Sequence, residues 1–389
     1  MSWPFTGRAL TATDAIAERL SGRIKSGGHV SRKDAMSHSA VWAALRLRAD
    51  LISSMPVDVF RRVDGVQVEV SKPLIMSEPG GPSLRWKEFV YSTQVDLDSC
   101  GNAVGVITAR DGAGLPSQIE LVNIDDVTFK GRGSKLTEVR VGKTVYDDPA
   151  RQIWHEKQFT VSGLAIGLSP VAYAAKTINS YLSAQDFAND WFDNATAPGG
   201  HLKNVGKVID KGEAQAIKAN FKASVQSGDV WVSGNDWEYN MLAAKASESQ
   251  FIETQQFSVS DAARFLGVPG DVIDAMVQGQ SVTYANITQR NLQLLIMNIG
   301  PAIDRREDAF SYGLLPRPRY VKFNTAALLR MDTKSRMESH GLAISNRIYP
   351  PSRALDMENM PPLTPAEEAE FARLFPKGAP APVSPGGSA

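Results

Sequence analysis

Two helical stripes enclose a self-contained island, and this arrangement limits the folds open to the chain. Ser169 and Pro170 suit an N-cap and a first helical turn. From there Val171, Ala174, Ala175, Ile178, Tyr181, Leu182 and Phe192 recur as one apolar face to about Asn194. Ala197–Pro198–Gly199–Gly200 stops that helix. A second stripe runs over Ser247–Leu266, with Phe251, Ile252, Phe257, Val259, Ala262, Ala263 and Leu266 as its apolar set, and ends at Gly267–Val268–Pro269–Gly270. Between the stripes the pattern predicts a strand at His201–Val205, a helix at Lys211–Val225, and strands at Val230–Val232 and Trp237–Met241. A chain that leaves one helix, builds a small strand–helix–strand unit and returns along another has made a protruding insertion.

Upstream, residues 1–30 read as a loose arm with Arg8, Arg19, Arg23 and Lys25, open to a tail or a weak contact role. Ser39–Met55 reads as a helix, with Val41, Ala44, Leu45, Arg48, Leu51 and Ile52 at helical spacing. Alternating valines on both sides of Asp64–Gly65 predict a two-residue hairpin. Ser83 is the expected cap of a helix over Leu84–Leu97. Residues 101–161 are strand-rich, with a further hairpin at Gly142–Lys143, giving a compact α+β unit. Downstream, a polar stretch at 271–285 precedes a long helix from about Asn286 to Phe310. Pro301 should distort that helix by removing a donor and crowding the preceding turn. Tyr320–Phe323 reads as a strand and Met331–His340 as a helix. Seven of the 22 prolines fall in residues 361–389, and 378–389 reads as disordered.

Charge and composition exclude whole classes. Lys plus Arg and Asp plus Glu are 42 each, so the formal net charge is zero. A protein that grips DNA through phosphates needs a basic excess, so any such role must use a local patch or pass DNA without holding it. At 43% hydrophobic and 22% charged residues the chain can build a core. Cys100 stands alone, which precludes an intrachain disulfide and suits a reducing compartment. No run of ~18 apolar residues suggests a transmembrane helix, and Met1–Leu20 does not have the pattern of a secretory signal.

Catalytic motifs fail on inspection. Gly142–Lys143–Thr144 resembles the end of a phosphate loop but sits in a hairpin, with Thr137 where the first glycine belongs. Gly167–Leu168–Ser169–Pro170–Val171 lacks the final glycine of a nucleophile elbow. The five histidines show no metal-ligand spacing. No metal, no cofactor and no enzyme are expected, with a hydrolase using Ser169 or His155 as the catalytic alternative. Asp304–Asp308 is either a solvated face with local ion pairs or an intersubunit charge ladder, with Arg305, Arg306, Glu307 and Asp308 as candidates.

A family resemblance joins these elements. Gly167–Pro170 opens the first long helix. Phe192–Gly200 (FDNATAPGG) is similar to an F-x-N-G-x-x-P-x-G helix exit, and Ala263–Pro269 (ARFLGVP) to an R-x-F-G-V-P stretch. Thr283–Arg290 (TYANITQR) is similar to a Y-x-N-x-E segment, followed by Ile299–Gly300–Pro301. Gly341–Asn346 (GLAISN) is similar to G-x-x-T/S-x-N. In this order, over about residues 37–363, the chain resembles the portal proteins of tailed double-stranded-DNA phages of the siphophage type. It departs from the family pattern at Thr288, where an acid is common, and at Arg347.

The resemblance implies an α+β, multi-domain portal fold of wing, stem helices, clip and crown, assembling into a ring, typically of twelve subunits, with an axial channel. Residues 1–30 would be the arm, 31–168 the first part of the wing, 169–200 and 247–269 the stem, and 201–246 the clip. Residues 270–285 would be the tunnel loop, 286–325 the wing's long helix and strand, 326–363 the crown and 364–389 the tail. Val277, Gln278, Gly279, Gln280, Ser281 and Val282 would face DNA. Lys207, Lys211, Lys218, Lys222, Asp229, Trp231, Asp236 and Trp237 would serve partner docking. Trp231 and Trp237 could equally fill the clip's own core. The implied partners are further copies of the chain, double-stranded DNA in transit, the terminase packaging motor, head-completion or adaptor proteins and the major capsid protein, with no membrane. The implied location is the virion vertex, and the host cytoplasm during assembly. A capsid-associated interaction protein without a channel is the alternative from a different class.

Overall fold

Apolar spacing and glycine punctuation set most of the elements that follow. The computed structural model describes residues 10–11, 30–193, 200–206, 210–227, 237–241, 258–273, 290, 292–325, 333–358 and 360–374. The chain divides into two units, Met1–Asn324 and Thr325–Ala389.

In the first unit a short strand, β1 (Leu10–Thr11), precedes α1 (Arg32–Ser37) and α2 (Ser39–Ser54). Ser31 caps α1 and His38 caps α2, its Nδ1 accepting from the Ala40 amide at 3.2 Å. β2 (Val57–Val63) and β3 (Val66–Val70) form the expected hairpin, closed at Val63↔Val66. Asp64 and Gly65 both take positive φ, as that tight turn requires. β12 (Arg319–Phe323) pairs with the other edge of β2, from Arg319↔Arg61 to Phe323↔Val57.

The helix α3 (Trp86–Cys100) begins later than expected. Arg85 stands at its N-cap without a side-chain bond, and Ser83 lies in a preceding 3-10 turn, donating to the Gly80 carbonyl. Pro82 sets that turn and moves the helix start past Leu84. Gly101 ends α3 at φ 73°. A three-stranded sheet follows in the order β5 (Pro116–Leu121), β4 (Asn102–Arg110), β9 (Ile153–Lys157). A second sheet runs β1, β6 (Val127–Arg132), β7 (Lys135–Val141), β8 (Thr144–Tyr146). Phe129, Val127, Val139, Ile124, Ile153 and Val104 pack as one core there.

Two close approaches fix the chain where it leaves this unit. A Cβ on Gly101 would lie 2.0 Å from the Leu168 carbonyl oxygen, and one on Gly167 would lie 2.1 Å from that of Gly101. Asn102 bridges the same crossing. Its amide donates to the carbonyls of Cys100 (2.9 Å) and Gly167 (3.0 Å), and its oxygen accepts from the Gly167 amide at 2.8 Å.

The long helix distorts where proline demands it. Leu294–Ile299 forms a π turn, continuous with α7 (Gly300–Leu314), and the Gly300 amide bonds the Leu295 carbonyl. Widening the turn relieves the clash between the Pro301 ring and the carbonyl four residues back. α7 buries Ala302, Ile303, Arg306, Glu307, Phe310 and Leu314. Phe310 meets Trp86, Phe89 and Phe323 in an aromatic core that extends to Trp154.

The second unit holds α8 (Thr333–Ser345), α9 (Pro351–Met357) and α10 (Pro365–Leu374). α8 runs five residues past the expected end. Arg347 at φ 58° then reverses the chain, and the Ile348 amide bonds the Ala343 carbonyl. His340 links Tyr349 (2.6 Å) and Glu358 (3.0 Å) within this unit. Residues 378–389, expected to be disordered, lie outside the described residues.

Candidate functional site

Two packed helices and the residues on either side of 274–289 share one frame. α4 (Pro170–Asp193) starts at Ser169, whose Oγ accepts from the Ala172 amide (3.1 Å) and donates to the Ser99 carbonyl (2.8 Å). Both bonds and near-complete burial make Ser169 a helix cap, with its hydroxyl already committed. A further helix, α6 (residues 258–265), packs on α4. Ala262 and Leu266 meet Val171, Ala174 and Ile178, with Ala40, Val41, Ala44 and Leu45 of α2 closing the cluster. Polar contacts align the same pair of helices: Thr177 Oγ1 donates to Asp261 (2.9 Å), and Ser258 Oγ to the Thr177 carbonyl (3.3 Å). Alanines at these contacts let the helices approach closely.

The second helix stops as its sequence requires. Gly267 sits at φ 66°, and the Val268 amide bonds the Ala263 carbonyl at 3.0 Å. Residues 270–273 then make one 3-10 turn. Arg290 forms an ion pair with Asp271. Asn298, in the π turn, donates its amide to the Gly267 carbonyl at 2.8 Å. Arg48 donates to the Asn298 carbonyl at 2.9 Å. Both ends of 274–289 are thus fastened to one place. The expected DNA-facing residues Val277, Gln278, Gly279, Gln280, Ser281 and Val282 lie outside the described residues.

Behind this frame is a buried polar network. Arg48 grips Asp98 with Nε (2.9 Å) and Nη2 (3.2 Å), while Gln94 and Gln158 add donors to the same carboxylate at 2.9 and 3.1 Å. Arg306 lies nearby on α7, its Nη2 donating to Thr93 at 2.7 Å and its guanidinium 4.5 Å above the Phe310 ring. Arg306 Nη1 stands 3.4 Å from Glu156. Burial pushes the Glu156 carboxyl up to about 7, with Arg306 opposing the shift. Arg306 is itself held below its usual range, again by burial.

This placement corrects the reading of the 304–308 charge run. Arg306 and Glu307 face the interior of their own subunit and are closed to an intersubunit ladder. Glu307 accepts from the Phe323 amide (2.8 Å) and pairs with Lys322, fastening β12 to α7. Arg305 and Asp308 remain exposed. The signal for buried charge was present in the sequence: Arg48 falls on the apolar stripe of α2, and Arg306 and Glu307 interrupt that of α7.

The island is built as expected at its base. β10 (Gly200–Asn204) pairs antiparallel with β11 (Trp237–Met241), from Gly200↔Met241 to Asn204↔Trp237, and α5 (Lys211–Ser227) lies between them in sequence. Lys211 and Lys218 are exposed on α5, Lys222 lies on the same helix, and Trp237 is half-buried. Lys207, Asp229, Trp231 and Asp236 lie outside the described residues, as does the strand expected at 230–232. His155, the other catalytic alternative, sits against Phe129 and Asn102, and burial lowers its pKa to about 3. Among the described residues no group of three metal-ligating side chains converges.

Two packed helices, a small two-stranded island and an α+β unit together define a class of protein. The family model described as phage portal protein matches residues 39–359, and the chain belongs to that family. Its function is that family's portal function.

Two curated relatives carry the same assignment. The probable portal protein of Streptomyces phage phiC31 is 26% identical, covering 92% of this chain and 82% of that protein. The portal protein of Enterobacteria phage HK97 is also 26% identical, covering 93% and 88%. Among solved structures, an HK97-family phage portal protein from Corynebacterium diphtheriae matches with a TM-score of 0.62 at 19% identity, over 79% of this chain and 100% of that one. A chain from the neck of the empty GTA particle matches with a TM-score of 0.58 at 16% identity, over 88% and 96%. These two structures establish the mixed helix-and-sheet portal fold. Among the described residues no helix is long and apolar enough to cross a membrane.

Proposed function

We propose that copies of this chain close into a ring at one capsid vertex and that the ring is the channel through which duplex DNA enters and leaves. Family membership over residues 39–359 carries this reading. The frame that fastens both ends of 274–289 supports it, because a segment anchored at both ends can project toward an axis without loosening its base. Heterologous contacts that close by rotation generate rings, and twelve copies is the expected number. Exposed Arg305 and Asp308 are the members of the charge run available between subunits.

Residues 277–282 face the DNA in this reading. Their Gln and Ser side chains make exchangeable contacts with phosphates and no charge lock. The island of 201–246 docks the terminase motor and later the head-completion proteins, with Lys211 and Lys218 on its helix and Lys207, Lys222, Asp229, Trp231, Asp236 and Trp237 around it. The wing (31–168 and 286–325) meets the major capsid protein, and the stem comprises 169–200 and 247–269. The crown is 326–363. Rings form in the host cytoplasm before they enter the particle. ATP chemistry belongs to the docked motor.

Light scattering tests the assembly. The expected mass is about twelve times the 42.2 kDa chain, and electron microscopy should show an axial hole. A chain that stays monomeric under all assembly conditions, or a solid disc, refutes the ring. Deleting Val277–Val282 should leave rings intact and lower DNA packaging or retention. Loss of ring assembly instead would make the segment an assembly element.

A further inference from the structure

One end of the β12–β2–β3 sheet concentrates positive charge in a chain whose total charge is zero. Arg61 on β2 and Arg319 on β12 are direct cross-strand partners in the antiparallel register, so their side chains share a face. Arg62 follows on the opposite face of the same strand end, and Arg317 lies two residues before Arg319. The Arg317 guanidinium stands 5.0 Å over the ring of Tyr312, which is 70% exposed. Arg61, Arg62 and Arg317 are exposed and Arg319 half-buried. The nearest carboxylates in the register are Asp64 in the turn and Glu69, opposite Phe60. Asp58, further along β2, is engaged by Lys72 at 3.0 Å. Among the described residues none of the four arginines forms an ion pair.

Like charges directly opposite each other in a sheet are destabilising. The pair at Arg61 and Arg319 has no internal counter-ion to offset that repulsion, and two further arginines add to it. An external polyanion relieves it. All four are arginine, whose planar fork matches phosphate oxygens in a bidentate way. The β2–β3 hairpin also extends past the last β12 pair, since β12 pairs only as far as Arg61. The arginines therefore sit where a rod-like ligand has access from both faces.

We propose that this sheet end is a contact surface for the phosphate backbone of duplex DNA, separate from the DNA-facing segment of the channel. It binds by charge, without base readout.

Covalently closed circular DNA provides the test, because an intact circle cannot be threaded through a preformed ring. Binding of the full-length protein to a closed circle is followed by filter retention across a salt series. Ring assembly is scored separately by light scattering, so failure of the ring reading and failure of this surface are told apart. The Arg61→Gln/Arg319→Gln pair should weaken binding at low salt about tenfold or more and reduce the log–log salt slope by ~1.8, two phosphate contacts at ~0.9 each. Arg62→Gln/Arg317→Gln should act in the same direction. Lys135→Gln, an exposed cation on β7, should leave the slope unchanged. These side chains reach solvent, and urea midpoints verify folding. The proposal is overturned if the wild-type protein does not retain closed circles, or if the arginine pairs leave the slope unchanged. It is equally overturned if Lys135→Gln weakens binding as much, or if sodium polyglutamate displaces the circle at lower charge concentration than a duplex competitor. That last outcome would assign the surface to an acidic protein.

Discussion

Replacing Asp98 by Asn should be among the most damaging single-atom changes available to this chain. Asp98 accepts four hydrogen bonds, two from Arg48, one from Gln94 and one from Gln158, and the paired side chains are only 5% and 3% exposed. Asparagine keeps one acceptor and turns the other into a donor that faces existing donors. The Arg48 charge stays buried without a counter-ion. Breaking such a pair costs about 3–5 kcal/mol. Urea unfolding followed by tryptophan fluorescence should place the variant midpoint about 1 M or more below wild type. Replacing both partners, Arg48→Met with Asp98→Leu, removes the stranded charge. The double variant should therefore be less destabilised than the sum of its single changes by about 2 kcal/mol or more. Two results would refute the reasoning: a loss below about 1 kcal/mol for Asp98→Asn, or strict additivity in the cycle.

Two further predictions concern the crossing and the helix cap. Gly101→Ala places a methyl 2.0 Å from the Leu168 carbonyl at a φ of 73°, so soluble yield and midpoint should fall by several kcal/mol equivalents, whereas Gly112→Ala, with open space around it, should be near neutral. His38 is buried, and burial lowers its pKa to about 4 from 6.5. The folded state thus holds a neutral ring that the unfolded state protonates. Its contribution is complete above pH 6.5 and is lost as pH falls toward 4, by up to about 1.4 kcal/mol per pH unit. His38→Asn keeps a capping acceptor for the Ala40 amide without that proton. The stability gap between wild type and variant should therefore shift in the variant's favour between pH 6.5 and 4, and a pH-independent gap would contradict the buried neutral histidine.

Local chemistry was legible in the sequence wherever one or two residues dictate it. Asp64–Gly65 specifies a hairpin because both central positions take positive φ, Gly142–Lys143 because its first position does, and both hairpins are present. Ser169–Pro170 and Gly267–Pro269 specify a helix start and a helix stop for the same kind of reason. The distortion before Pro301 was legible, but its form as a π turn was not, because a helix can accommodate proline by a kink or by a widened turn. Long-range partners were illegible. Arg306 and Glu307 look like a local ion pair, yet their partners are Glu156, Thr93, Lys322 and the Phe323 amide. Ser83 failed as a cap because Pro82 directs the chain into a separate turn.

Charge balance takes on a different meaning once these positions are known. A zero sum could mean that charges cancel everywhere, which would suit a surface that DNA merely passes. Here they do not cancel locally. Arg48, Arg306 and Glu307 are consumed inside the subunit, where they hold α2, α7 and β12 in fixed relation and reach, through Asn298, the residues that flank 274–289. Among the described residues Arg61, Arg62, Arg317 and Arg319 form no ion pair at the sheet end. A conduit benefits from this division. Persistent phosphate contacts on a sliding path raise the barrier to movement, whereas the same contacts on a surface away from that path do not. The sum over the chain carries no information about either role. The positions of the arginines do, and they put the uncompensated charge at one end of the β12–β2–β3 sheet.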